Sequence, residues 1–459
     1  MPRTQPAHVA NADPQTVDRL AHLDQGLKVA VIGGGWAGLT TAVELAAKGM
    51  NVTVFEAARR LGGRARSVEI NGLHLDNGQH ILIGAYRETL RLMEKVGRNP
   101  EELLHRLPLE LNHPAGGFLL KLPRLPAPFN LALGLLRAKG LSLREKLSAA
   151  RFMRSLQSAG YRLDNDCSVA ALLDRHRQSG HLRRFMWEPL CIAALNTAPA
   201  HASARIFANV LRDSLGGQQA DTDLLLPHSD LSRIFPDAAG QFIEKSGGRI
   251  RLSSRIETIG SDLTIHGEQF DHLVLAVAPQ HAAGLLGQIE STAPIARQLE
   301  QYSFEPIGTV YAAYSAKVSL PCPMLGLDDG RSGRLGQWVF KRAPEGSGSA
   351  NDANGNRTLL AFVLSARGAW DEQDNDALMQ TLHGELEQAL GKQLPRPTWH
   401  RVIRERRATF SCRPNLPRPT SRTPIRGLWL AGDYVCADYP ATLEGAVRSG
   451  VSAARAILA

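Results

Sequence analysis

Residues 28–56 read KVAVIGGGWAGLTTAVELAAKGMNVTVFE, and the fold class turns on them. The β-branched run Lys28 to Ile32 meets Gly33-Gly34-Gly35-Trp36-Ala37-Gly38, and a helical run from Leu39 to Lys48 ends at Gly49. A second β-branched run, Asn51 to Phe55, ends in Glu56. Strand, glycine turn, helix and strand within about 30 residues make a βαβ unit. Gly33, Gly35 and Gly38 form G-x-G-x-x-G. The first glycine allows the tight turn, the second lets a pyrophosphate approach the backbone, and the third lets helix and strand pack closely. The helix N-terminus then offers unpaired N–H groups and a partial positive charge to phosphates. Glu56 lies 18 residues after Gly38, close to the roughly 20 expected of a ribose-binding acid. Alone, the motif also fits a tight turn without ligand; in this context it predicts a dinucleotide site.

The rest of the chain bounds the alternatives. It has 459 residues, 43% hydrophobic and 21% charged, ordinary globular usage. Collagen-like, disordered and disulfide-scaffold classes are excluded. The five cysteines, at 167, 191, 322, 412 and 436, form no C-x-x-C pair, so no metal site is expected and a reducing compartment fits. Residues 1–26 read as a polar, flexible lead-in without signal-peptide features. No run is long and apolar enough to span a bilayer.

Element order suggests a discontinuous nucleotide domain from 27–85, 231–290 and 400–459. The second, substrate domain comprises 86–230, mostly helical, and 291–399. Within these, a helix is expected over Leu231–Ser246, strands over RIRLSSRIETI (249–259) and FDHLVLAVAP (270–279), and a Gly/Ser/Asn-rich loop over 344–356. The expected class is α/β, α+β overall: a doubly wound Rossmann-like domain plus a mixed-sheet domain with helices.

Further segments narrow the cofactor. Ala57 to Ala65 reads AARRLGGRA. Its Gly62-Gly63-Arg64 resembles the FAD-binding signature of the amine oxidase and phytoene desaturase superfamily. That superfamily often has Arg two residues after the acid, where this chain has Ala58. Asp76-Asn77-Gly78-Gln79-His80 sits where the superfamily turns its chain past the flavin. Ala431-Gly432-Asp433 resembles its last cofactor motif, and the resemblance implies that Asp433 binds the ribityl or pyrophosphate part. Pro440-Ala441-Thr442-Leu443 opens a helix whose N-terminus would stabilise reduced flavin; Thr442 also reads as an ordinary N-cap. The expected FAD contacts are thus Gly33, Gly35, Trp36, Ala37, Gly38, Glu56, Ala57, Gly62, Gly63, Arg64, Ala65, Asn77, Gly78, Gln79, His80, Ile256, Gly432, Asp433, Ala441, Thr442 and Leu443.

The net charge is +9, and residues 117–154 carry eight basic residues and one acid among Leu and Phe side chains, ten of which lie between Phe118 and Leu136. Greasy residues flanked by cations suit an anionic bilayer surface, and Pro123, Pro126 and Pro128 preclude a long spanning helix. A core helix with a solvated basic face is the plainer alternative. Nucleic acid is not expected, since no nucleic-acid motif accompanies the charge.

VIGGGWAGLTTAVELA, DNGQHILIG, LPRLPAPFNLALGLL, MWEPLCIAALNT and LWLAGDYVCADYPATLEGAVRSG together resemble the bacterial squalene-associated FAD-dependent desaturases, the hydroxysqualene dehydroxylase family. The resemblance implies that reduced FAD replaces the allylic hydroxyl of hydroxysqualene by hydrogen, giving squalene for hopanoids. It implies a hydrophobic isoprenoid substrate. The electron donor stays open between NADPH through a partner reductase and direct reduction of the flavin. The basic apolar segment, not the resemblance, gives the expectation of a cytoplasmic protein peripheral on the inner face of the cell membrane. An acid must protonate the leaving hydroxyl; His80 and Tyr439 are the candidates. Trp187, Pro189, Leu190 and Asn196 are expected to line the substrate tunnel. Oxidative carotenoid desaturation, amine oxidation and a non-catalytic scaffold remain as competing readings.

Overall fold

The computed structural model describes residues 26–70, 73–342 and 358–459; the lead-in to residue 25 and the 344–356 loop lie outside them. The runs KVAVI and NVTVF become the strands Lys28–Ile32 and Asn51–Phe55, buried on both faces. Near-continuous apolar runs are the mark of a parallel sheet covered on both sides. The parallel sheet is ordered Arg249–Arg251, Asn51–Phe55, Lys28–Ile32, His272–Leu275, Leu428–Leu430. The first strand is central, and the chain leaves it for opposite sides, so a crevice opens at its carboxyl end. The helices Trp36–Ala46 and Leu443–Leu458 cross closely enough that a Cβ on Gly450 would fall 2.4 Å from the Ala37 carbonyl oxygen.

A second, antiparallel sheet is ordered Met324–Gly326, Trp338–Arg342, Thr358–Ser365, Phe304–Tyr314, Trp399–Phe410. Its last strand corrects the sequence reading, which assigned residues from 400 onward to the nucleotide domain. WHRVIRERRATF carries four arginines that blur the alternation expected of a strand. It tolerates them because it is an edge strand with much of its surface exposed.

Other expectations shift as well. The stretch 86–230 is not only helical: it contains the strands Leu104–Leu107 and Leu224–Pro227 and the hairpin Glu110–His113/Phe118–Lys121. The helix expected over 231–246 is two, Leu231–Ile234 and Pro236–Lys245, because Pro236 has no N–H to continue the first. Of RIRLSSRIETI only Arg249–Arg251 is strand. Beyond it, Ser253 N–H donates to the Ala58 carbonyl at 3.0 Å and Ser254 N–H to the Glu56 carbonyl at 2.8 Å. This loop runs beside the end of the second strand. The five cysteines are all free, three of them buried.

Candidate active site

The crevice at the carboxyl end of the parallel sheet continues into the second sheet's side as one cavity of about 1190 Å³. Its first wall is the glycine turn. Gly33 has φ 111°, and a Cβ there would lie 2.5 Å from the Ala276 carbonyl oxygen; any side chain would push the turn off the adjacent strand. Gly35 is the N-cap of the Trp36–Ala46 helix, with no side chain capping it. Gly35, Trp36 and Ala37 line the cavity, so the helix's first amides face it. Gly38 does not line it. A Cβ on Gly38 would fall 1.9 Å from the Gly33 carbonyl oxygen, so this glycine serves the packing of the helix on its own turn.

A second glycine loop lies against the first. Gly62 N–H donates to the Gly34 carbonyl at 2.8 Å, and a Cβ on Gly63 would fall 3.0 Å from the Gly35 Cα. Glu56 ends the second strand as expected, and its carboxylate is already anchored. Oε2 accepts from Gly34 N–H and Oε1 from Ala58 N–H, both at 2.7 Å. The fixed carboxylate keeps a lone pair on each oxygen for a ligand hydroxyl.

Arg64 and Asp433 were expected to act separately; the fold pairs them. Arg64 Nη2 donates to Asp433 Oδ1 at 3.0 Å and Oδ2 at 2.9 Å, and Nη1 donates to the Ala408 carbonyl at 2.7 Å. The two charges largely offset each other at the cavity wall. Trp36 Nε1 donates to the Ala65 carbonyl at 3.0 Å.

The 76–80 turn is held from three sides. Arg342 pairs with the fully buried Asp76 at 2.9 Å, Leu231 N–H donates to Asp76 Oδ1 at 2.8 Å, and Tyr311 Oη donates to the Asp76 carbonyl at 3.1 Å. His80 Nδ1 lies 2.9 Å from the Gly78 carbonyl. Enclosure away from bulk water holds the His80 pKa below its usual value; the Gly78 hydrogen bond opposes this and the Arg342 charge adds to it. A neutral ring with Nδ1–H donating to Gly78 leaves Nε2 as an acceptor. Tyr439 and Tyr86 also line the cavity. Burial raises both hydroxyl pKa values well above the ordinary range, with Glu444 adding to the rise of Tyr86 and Tyr86 to that of Tyr439. Arg448 lies 4.2 Å from the Tyr439 ring centroid.

Asn77, Gly78, Gln79, Ile256, Gly432, Asp433, Ala441, Thr442 and Leu443 line the same cavity, as do Glu56, Ala57, Gly62, Gly63, Arg64 and Ala65. Thr442 also caps the Leu443–Leu458 helix, accepting from Gly445 N–H at 3.1 Å, so the capping and cavity readings hold together. Pro189 and Leu190 line the cavity, but Trp187 and Asn196 do not. Trp187 is fully buried, with Nε1 donating to Gln178 at 2.9 Å. Asn196 is a left-handed helix terminus bonded to Pro306, Ala366 and Thr409. Both are structural.

Sequence reasoning missed Gln280, Arg255, His281, Arg406 and Arg407, which line the cavity. Burial, then the Arg255 and Arg407 charges, hold the His281 pKa below its usual value. One signal was available for Gln280. It lies two residues beyond the strand run HLVLAVA, in the first turn of the helix that Pro279 opens, the position of a ligand-facing loop in such sheets.

The residues fit a flavin dinucleotide. Two glycine loops leave space no side chain could share, and uncapped helix amides face that space. Gln79 Oε1 and Gln280 Oε1, both on cavity-lining residues, are buried without a hydrogen-bond partner. Among the described residues no cluster suited to a metal ion occurs.

Comparison with known proteins agrees. The model of the flavin containing amine oxidoreductases matches residues 36–458. The hydroxysqualene dehydroxylase of Rhodopseudomonas palustris is 28% identical, covering 94% of this chain and 98% of its own. The zeta-carotene desaturase of Synechocystis is 24% identical, covering 94% and 97%. In fold, the chain is similar to the cyclohexylamine oxidase of Brevibacterium oxydans, with a TM-score of 0.66 at 17% identity over 94% of this chain and 98% of that one.

Proposed function

The chain belongs to the flavin containing amine oxidoreductase family and is an FAD-dependent oxidoreductase, and on that premise we propose that it reductively removes the hydroxyl of hydroxysqualene to give squalene for hopanoid synthesis. The observation that carries this reading is the wall of the cavity beyond the glycine loops. Leu109, Leu111, Leu190, Ala194, Leu211 and Leu215 form it. The carboxylates that line the cavity, Glu56, Glu257, Glu405 and Asp433, lie on other elements. Such a wall suits a long hydrocarbon and offers no counter-charge to an amine. The cavity exceeds the roughly 300–1,000 Å³ of a pocket for one drug-sized ligand, leaving room for a second molecule beside the cofactor.

Bound reduced FAD supplies hydride. The chain's own part is to exclude water, orient the allylic carbon and provide a proton to the departing hydroxyl, since hydroxide leaves poorly. Of the two candidates, Tyr439 suits the donor role. A tyrosine hydroxyl carries a proton at neutral pH; burial makes Tyr439 a weaker acid, and Arg448, 4.2 Å from its ring centroid, opposes this by favouring the phenolate left after transfer. His80, neutral and with Nδ1 committed to Gly78, is an acceptor that positions the substrate hydroxyl.

The test is anaerobic reduction of the purified protein followed by hydroxysqualene in detergent. Squalene by mass spectrometry, equimolar with reoxidised flavin, is expected. Reduced flavin that persists without squalene refutes the reading. It would favour oxidative desaturation, the alternative supported by the likeness to the Synechocystis desaturase. The oxidised protein would then bleach with a phytoene-like hydrocarbon.

A further inference from the structure

Seven large hydrophobic side chains are exposed among the described residues, and four of them fall between 129 and 147. Phe129 and Leu136 are each 65% exposed, Leu143 69% and Leu147 48%. Phe129 and Leu136, seven apart on the helix Phe129–Arg137, share one face; Leu143 and Leu147, four apart on Leu143–Ser158, share another. Lys146 Nζ ties the two helices by donating to the Leu136 carbonyl at 2.8 Å. The inner faces are already used. Leu131 and Leu135 are buried, and Gly134 packs so tightly on the hairpin that a Cβ would fall 2.5 Å from Leu122 Cδ2. The outward side chains therefore have no place in the core.

Six exposed cations lie in the same segment: Arg124, Arg137, Lys139, Arg144, Arg151 and Arg154. None forms an ion pair among the described residues. The one acid of the segment, Glu145, is turned to the Ser142 cap and the Leu182 amide. A second copy of the chain is a poor occupant, because a two-fold contact would set this cationic segment against itself. No described helix is long and apolar enough to cross a membrane.

We propose that the outer face of these two helices docks on an anionic lipid bilayer, with Phe129, Leu136, Leu143 and Leu147 in the acyl boundary and the six cations at the headgroups. The face is one layer from the cavity. The helix Phe129–Arg137 lies on the hairpin Glu110–His113/Phe118–Lys121, and Leu111 of that hairpin lines the cavity. An apolar molecule leaving the bilayer has a short path inward. Leu133 is half-buried and is not part of the contact. The inference goes beyond the reaction and stands without it.

The experiment is flotation of the full-length flavoprotein with vesicles of phosphatidylcholine alone or with one-third phosphatidylglycerol. The wild type is expected to float with the mixed vesicles, less so at high salt. Leu136→Glu with Leu143→Glu, and separately Arg137→Glu with Arg144→Glu and Arg151→Glu, should each lower the bound fraction at least about tenfold. Both variants should keep the flavin spectrum and melting temperature. The charge variant, altered only at exposed cations, serves if the leucine variant fails to fold. Absence of wild-type flotation, or unchanged flotation of a folded variant, overturns the proposal. So does a wild-type dimer that the leucine pair converts to monomer. Turnover is not measured, so failure here is separate from failure of the dehydroxylase reading.

Discussion

Replacing Gly33 by alanine puts a methyl carbon 2.5 Å from the Ala276 carbonyl oxygen and 2.8 Å from its carbon, at a residue with φ 111°. The backbone conformation alone costs about 1–3 kcal/mol for a residue with a side chain. The neighbour is backbone, just past the strand His272–Leu275, and cannot rotate away as a side chain would, so the turn itself must shift, an overpacking cost of about 1–3 kcal/mol. The lower bound of the sum, about 2 kcal/mol, is roughly a thirtyfold change in an equilibrium constant. The displaced turn is the one that brings Gly35, Trp36 and Ala37 to the cavity, so the loss should appear in flavin affinity. Gly49 is the control. It has φ 78° and no atom within 4 Å of an added Cβ, so Gly49→Ala bears only a backbone cost of about 1 kcal/mol. The assay is flavin fluorescence on dilution, with thermal melting of the apo- and holoprotein. Gly33→Ala should weaken FAD binding at least about thirtyfold, while Gly49→Ala keeps wild-type affinity with a slightly lower melting temperature. Equal FAD affinity of Gly33→Ala and wild type would show that the turn does not cradle the cofactor.

Two further outcomes are expected. Tyr439→Phe should lower the rate of flavin reoxidation by hydroxysqualene about 100-fold or more with FAD binding unchanged, and His80→Gln should mainly raise KM; the reverse pattern would reassign the proton donor. His113, packed between Phe185 and Trp338 at centroid distances of 5.1 and 4.9 Å, has its pKa lowered to about 4 by burial, against the Asp328 charge. The unfolded chain therefore takes up this proton first as pH falls through the usual histidine range. Stability should decline from about pH 7 toward pH 4, by about 3 kcal/mol from this residue. Urea denaturation at several pH values should show a shallower decline for His113→Phe, and parallel curves would refute the assignment.

What the sequence determined by itself is local. The βαβ unit, Glu56 at the strand end and the glycine loops at 33–38 and 62–63 each need only a few adjacent residues. Their chemistry, tight turns and free amides, is written in residue type and spacing. A dinucleotide site followed from these, whereas the flavin followed from the resemblance of Gly62-Gly63-Arg64 and Ala431-Gly432-Asp433 to a known superfamily. What the tertiary structure decided is pairing across long separations. Arg64 and Asp433, 369 residues apart, offset each other. Asp76 is bound to Arg342 and so fixes the turn that carries His80. Residues 399–410 became the edge strand of the other sheet because Phe304–Tyr314 offered a free edge, which no local pattern reveals. Trp187 and Asn196, legible as members of a helical segment, were misplaced for the same reason. A helix face meets cavity or core according to its neighbours, and those neighbours come from distant parts of the chain.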